Sequence, residues 1–232
     1  MLLKKTIYGF YILLVIIKGL KYEFIRKFKG KDLALEYAQK TTYLWSKFTM
    51  KIVGIDLDVR GLENIPKEPC VFIGNHSSIL DIPILLCTVN RSIGFIAKKE
   101  ILKTPVIGYW LTRSNCVALD RENPRTAITA INDAIQNIKE GGSMAIFPEG
   151  TRNKEGKVGE FKKGSLKLAT KSKAPIIPMS IERASRAFED TREFVPTKIK
   201  LVFGEAIDTK NLSKEEELHL TERIRNIIIS NL

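Results

Sequence analysis

At 232 residues the chain has room for one α/β domain with an appendage and a sizeable core, and its 44% hydrophobic content is that of an ordinary globular protein. The formal charge of +12 is unusual: residues 1–50 carry ten Lys/Arg against three acids, leaving only +5 on the other 182 residues, and hold ten of the nineteen aromatics. Three cysteines without Cys-x-x-Cys spacing exclude a disulfide framework and argue against a metal site; Cys70, Cys87 and Cys116 read as reduced core residues of a cytosolic protein.

The first fifty residues read as two helices. The run IYGFYILLVII (7–17) is closed by Lys18 and Gly19; counted from Thr6, twelve uncharged residues cover about 18 Å, short of a bilayer core of roughly 30 Å. No small-residue cleavage site follows, so a signal peptide is not expected. Leu3, Ile7, Phe10, Leu14, Ile17, Phe24 and Phe28 follow a helical stripe broken by Lys21, and after Gly30 a second amphipathic helix spans 32–49 with Leu33, Leu35, Tyr37, Trp45 and Phe48. Such helices suit an interfacial membrane anchor, with Trp45 and the tyrosines at headgroup level. A hairpin that merely packs on the following domain has the same pattern. The division expected is 1–50 for the anchor and 51–232 for an α/β domain.

From residue 51 strands alternate with helices: KIVGIDLDVRG (51–61), CVFIGN (70–75), a helix near Asp81 with Pro83 in its first turn, SIGFIAK (92–98) and NCVALD (115–120). A helix over 123–142 follows, capped by Asn123, opened by Pro124 and closed by Gly141, with Ala127, Ile128, Ile131, Ala134, Ile135 and Ile138 on one face. SMAIFP (143–148), APIIPMSI (174–181) and KIKLVFG (198–204) are strands, and a helix from Ser213 ends the chain. Continuous apolar strands alternating with helices predict a largely parallel sheet covered by helices.

Ligand chemistry in such sheets gathers beyond the carboxyl ends of the strands, where His76, Arg121 and FPEGTR (147–152) fall. His76 is one of two histidines, with Asp81 five residues on. A carboxylate holding one ring nitrogen leaves the other free to take a proton from a hydroxyl. No G-x-S-x-G elbow supplies a nucleophile, so the hydroxyl would be the substrate's. A structural histidine at a helix start is the competing reading. In FPEGTR, Pro148 and Gly150 force a turn presenting Glu149, Thr151 and Arg152; an arginine fork there suits a phosphate, and Lys98, Lys99 and Arg121 at other strand ends would complete the anion site.

Four ordered blocks resemble the glycerolipid acyltransferases, specifically the 1-acylglycerol-3-phosphate acyltransferases: NHSSILD (75–81), the stretch 98–121 with Pro105, Gly108 and Arg121, FPEGTR (147–152) and APIIPMSI (174–181) with Pro178. Two departures concern the acyl pocket: Asn115 stands where glycine is usual, asparagine being the next most tolerant of positive φ, and Ala118 replaces a larger apolar residue. The resemblance implies transfer of an acyl group from a thioester, of acyl carrier protein or coenzyme A, to the sn-2 hydroxyl of a lysophosphatidic acid. It implies His76 as base and Asp81 as its orienting group. Arg152 and Lys98, helped by Arg121, would hold the phosphate, Glu149 and Gly150 would shape the glycerol site, and the 174–181 strand would line an acyl groove. Neither metal nor cofactor is implied; the oxyanion donors are sought among the backbone N–H groups near His76. Expected partners are the anionic cytosolic leaflet of the cell membrane, the lysolipid and the thioester carrier. Another lysolipid acceptor, such as lysophosphatidylethanolamine or a lyso-ornithine lipid, would use the same chemistry. A non-catalytic membrane- or nucleic-acid-binding module is the alternative from the charge. Nucleic acid is not expected, because the aromatics cluster with apolar helices instead of interleaving with basic residues on strands.

Overall fold

The computed structural model describes residues 2–120, 124–153, 155–162 and 164–232. It begins with two long helices, α1 (Leu2–Lys29) and α2 (Lys31–Val53), reversed at Gly30, whose φ of 98° is open to glycine at no steric cost. The buried face of α2 is lined by small residues, Ala34, Ala38, Thr41, Ser46 and Thr49, ahead of Met50 and Val53. That lets α1 approach closely, and Tyr11 stacks on Phe48 at 3.9 Å between ring centres. On α1, Val15, Gly19, Tyr22 and Ile25 are buried, while Leu3, Phe10, Leu14, Leu20, Phe24 and Phe28 remain more than half exposed. Among the described residues no helix is long and apolar enough to cross a membrane.

The remaining strands are β1 (Ile55–Arg60), β2 (Val71–Gly74), β3 (Ile93–Lys98), β4 (Val117–Leu119), β5 (Ser143–Ile146), β6 (Ile176–Ile181) and β7 (Thr197–Phe203). Among the described residues they form one sheet in the order β1-β7-β6-β2-β5-β3-β4. The five strands from β6 to β4 are mutually parallel; β7 pairs antiparallel with β6, and β1 runs parallel to β7. This is the largely parallel, helix-covered α/β sheet expected from the sequence. The helices are α3 (Asp81–Thr88), α4 (Ile107–Leu111), α5 (Pro124–Lys139), α6 (Lys167–Ser172) and α7 (Lys214–Ser230). Alternate side chains of each strand feed opposite layers. Phe72, Ala145 and Ile177 join the layer containing Met50, Val53, Ile84 and Leu85 from α2 and α3. Val71, Ile73, Met144 and Ile176 join the layer of Ala134, Leu168 and Ile224 from α5, α6 and α7.

Several local expectations shift. Residues 51–53 close α2, and the strand begins only at Ile55. Gly54, at φ 93°, ends the helix and lets it turn into β1. On α5 the buried line is Ala130, Ala134 and Ile138, whereas Ile128 is 64% exposed. Asn123 lies outside the described residues. Of the aromatics in the two helices, Tyr22 is buried, and Trp45 is half-buried with its Nε1 donating to Tyr8 Oη at 3.1 Å. Tyr109 Oη donates to Gly19 O and to Glu23, both at 2.9 Å, clamping α1 to α4. Phenylalanines and aliphatics are left on the outer face of α1. Asn115 does adopt positive φ, at 57°. Ser213 caps α7 in a reciprocal pair with Glu216.

Candidate active site

The parallel block brings the ends of β2 and β5 side by side, and the loops leaving them interlock. After Gly74, Asn75 pairs across to β6: its Nδ2 donates to Ile181 O at 2.8 Å and its Oδ1 accepts from Ile181 N at 2.9 Å. His76 follows, and Asp81 opens α3 fully buried. Asp81 Oδ2 accepts from the Ser77 and Ser78 amides at 2.8 and 2.9 Å and lies 2.8 Å from His76 Nδ1. A carboxylate oxygen already receiving two N–H groups is an acceptor, so Nδ1 carries the proton and Nε2 keeps its lone pair. The imidazole stacks on Phe147 at 4.3 Å with 14° between planes. His76 is thus held in one tautomer and one orientation, with part of the side chain exposed. Asp81 Oδ1 is buried without a hydrogen-bond partner among the described residues.

FPEGTR wraps the histidine loop. Glu149 is buried, its Oε1 accepting from the His76 amide at 2.7 Å and its Oε2 from the Gly159 amide at 2.9 Å. Both oxygens therefore hold loops together, and Glu149 sets the backbone position of His76. The Asn153 amide donates to His76 O at 2.8 Å. Gly150 takes φ 69°, closing the turn with its amide on Phe147 O at 3.0 Å. The end of Lys162 lies against it, Nζ 3.0 Å from where a Cβ would stand. Thr151 and Arg152 are exposed on this turn.

The anticipated cations do not all converge. Arg152 Nη1 donates to Glu189, which ties it to the histidine loop. Lys98, ending β3, forms an ion pair with Glu100 at 3.6 Å. Since β5 separates β3 from β2, its backbone stands about 10 Å from that of β2. Lys99 pairs with Asp120 at 2.7 Å. Arg121 lies outside the described residues.

The amides from His76 to Asp81 are not available as oxyanion donors in this arrangement. They donate in turn to Glu149, Asp81, Asp81, Glu189, Ser78 Oγ and Ser78 O. Nor, among the described residues, does a free protein nucleophile stand beside the histidine. Ser77 Oγ accepts from the Ala184 amide and Ser78 Oγ from the Leu80 amide, and both serines are buried. Burial pushes the Cys70 thiol up to about 11 and Cys116 up to about 12, so neither is a thiolate near neutral pH. Phe147, Asn153, Lys162 and Glu189 had gone without a role in the sequence reading. Phe147 opens FPEGTR and Asn153 directly follows it; nothing near Lys162 or Glu189 in sequence signals them.

A family model described as Acyltransferase matches residues 56–182, more than half the chain, including the His76–Asp81 loop and FPEGTR. The chain belongs to the acyltransferase family. Among related acyltransferases, the 1-acyl-sn-glycerol-3-phosphate acyltransferase of Borreliella burgdorferi is 34% identical over 188 residues, covering 80% of this chain and 75% of that protein. The chloroplastic 1-acyl-sn-glycerol-3-phosphate acyltransferase BAT2 of Brassica napus is 40% identical over 126 residues, which is 53% of this chain and 36% of that protein. The chain thus spans about a third of the chloroplast relative. The crystal structure of the 1-acyl-sn-glycerophosphate (LPA) acyltransferase PlsC from Thermotoga maritima superposes with a TM-score of 0.73 at 30% identity, covering 95% of this chain and 94% of that one.

Proposed function

We propose that this acyltransferase moves an acyl group from a thioester to the sn-2 hydroxyl of 1-acylglycerol-3-phosphate, giving phosphatidic acid. The observation that carries the reading is His76 fixed by buried Asp81, while the neighbouring Ser77 and Ser78 hydroxyls are buried and bonded to backbone amides instead of standing free to be acylated. The nucleophile is then the acceptor's own hydroxyl. His76 Nε2 takes its proton as the oxygen attacks the thioester carbonyl, and Asp81 stabilises the imidazolium. The tetrahedral intermediate collapses with loss of the thiolate, which recovers the proton from His76. Arg152, with Lys98 and Arg121, holds the phosphate, and the family's related proteins carry acylglycerol-phosphate names. The thiol carrier is acyl carrier protein or coenzyme A; the 26-acid, 38-base composition suits either anionic donor.

The acceptor and product are bilayer lipids, so the site works at a membrane surface. The exposed apolar side of α1, opposite its buried side, supports one-sided seating in the anionic cytosolic leaflet. The test is an assay of purified protein with lysophosphatidic acid and, in separate reactions, acyl-carrier-protein and coenzyme A thioesters. Formation of the diacyl phosphate with either donor is expected. Absence of thioester consumption with both, while the protein binds vesicles or nucleic acid, would leave a binding module. Faster turnover of lysophosphatidylethanolamine or a lyso-ornithine lipid would move the reading to that acceptor.

A further inference from the structure

Glu189 belongs to none of the four blocks, yet it joins two of them. It follows β6 and the turn Ala184–Ala187, and its side chain is only 10% exposed. Oε1 accepts from Arg152 Nη1, and Oε2 accepts from the Ile79 amide at 2.9 Å. Its backbone is fixed in turn, since the Phe188, Glu189 and Asp190 amides all donate to Ser185 O at 3.2, 2.8 and 3.1 Å. Asp190 pairs with Arg183 at 2.7 Å on the same short segment. A largely covered carboxylate on a pinned turn thus connects the arginine of FPEGTR to the middle of the His76–Asp81 loop.

An arginine binds phosphate well when its planar fork is held in one orientation. Arg152 is 45% exposed and has a single hydrogen-bonded nitrogen among the described residues, Nη1. Nε and Nη2 remain open to an incoming oxyanion. We propose that Glu189 is a positioning residue for the acceptor phosphate: it orients Arg152 and ties it to the loop that carries the base, so phosphate capture sets the distance from hydroxyl to His76. This rests on the acceptor reading given above. A plain structural ion pair would hold the loop without regard to what the acceptor carries, and kinetics separate the two.

The experiment compares Glu189→Ala, Glu189→Gln and Arg152→Ala, and the double variant Glu189→Ala with Arg152→Ala, on lysophosphatidic acid and on an uncharged monoacylglycerol. Glu189→Ala should raise KM for lysophosphatidic acid about tenfold, the size of one charge-assisted hydrogen bond lost. Both acceptors should share only a smaller fall in kcat from the loosened loop. In the Arg152→Ala background the extra KM effect should vanish, because there is no longer a guanidinium to orient. Ile79 is 43% exposed, so its amide is rehydrated when the carboxylate goes. Glu189→Gln keeps the volume and one acceptor oxygen; it should show the same acceptor-selective KM effect to a lesser degree, and decides the matter if the alanine variant does not fold. Equal losses on both acceptors, additive losses with Arg152→Ala, or no loss at all would overturn the positioning role. Wild-type protein that fails to prefer lysophosphatidic acid would overturn the acceptor reading and this proposal with it; a wild-type preference that the Glu189 variants retain overturns this proposal alone.

Discussion

Replacing Asp81 by asparagine is the sharpest test of the proposed chemistry, because the change in charge can be separated from the change in contacts. Asp81 Oδ2 receives His76 Nδ1 at 2.8 Å and two amides at 2.8 and 2.9 Å. An amide oxygen in the same place accepts all three, so the loop geometry survives. The new NH₂ takes the position of Oδ1, which is buried and has no partner among the described residues. Leaving that group unsatisfied costs about 1–3 kcal/mol of stability, a fall of several degrees in Tm. What asparagine cannot supply is the negative charge facing the imidazolium. With charge centres about 4 Å apart and an effective dielectric near 20, that attraction is about 4 kcal/mol, or roughly a thousandfold in kcat. The assay is steady-state acyl transfer at saturating thioester and lysophosphatidic acid, beside a thermal melt. KM should hardly move, since the charge develops only in the transition state. A folded Asp81→Asn protein within tenfold of wild-type kcat would refute the base assignment for His76.

Three further outcomes follow from the geometry. Changing Phe10, Leu14 and Leu20 together to serine should remove most co-sedimentation with anionic vesicles, at about 1.5 kcal/mol or more for each side chain that inserts fully; undiminished binding would mean that α1 does not seat in the leaflet. Gly108→Ala should lower Tm, since its Cβ would meet the Leu102 carbonyl oxygen at 2.1 Å, and overpacking of that kind costs about 1–3 kcal/mol; an unchanged melt would show that the 99–111 segment yields freely. The Arg113 guanidinium, bonded to Glu23, holds that carboxyl below its ordinary 4.5, so the α1–α4 clamp contributes fully above that pH and is lost as pH falls through the depressed folded value. Acid titration of Trp110 emission should therefore show a step that Glu23→Gln abolishes; the same step in both proteins would assign it to other carboxylates.

How much was legible differs from element to element. β2, β5 and β6 stood out as unbroken apolar runs because both their faces are covered, and α7 because Ser213 and Glu216 cap it within four residues. The His76–Asp81 pair was readable because both lie on one strand-to-helix turn, and a local hydrogen bond needs only that turn. β1 was misjudged at its start because Lys51, Ile52 and Val53 fit either period, and it is Val53, packing into the layer below the sheet, that extends α2. Ile128 was misplaced because one turn of α5 presents more apolar residues than the sheet can cover.

By itself, then, the sequence determined whatever depends on neighbours along the chain: the alternation of strands and helices, the start of α7 at Ser213, the positive φ at Asn115, the His76–Asp81 pair and the FPEGTR turn. Tertiary structure decided what depends on elements meeting across space. The antiparallel return of β7, the separation of Lys98 from His76 by a whole strand, and the capture of the His76 and Ile79 amides by Glu149 and Glu189 follow from strand order and loop packing. The same holds for α1, whose two apolar sides look alike in sequence. Gly19 permits Tyr109 to approach one side and bury it, which leaves Phe10, Leu14 and Leu20 facing outward. Glu189 is the extreme case: its partners Ile79 and Arg152 lie 110 and 37 residues away along the chain, and no local pattern encodes a contact of that range.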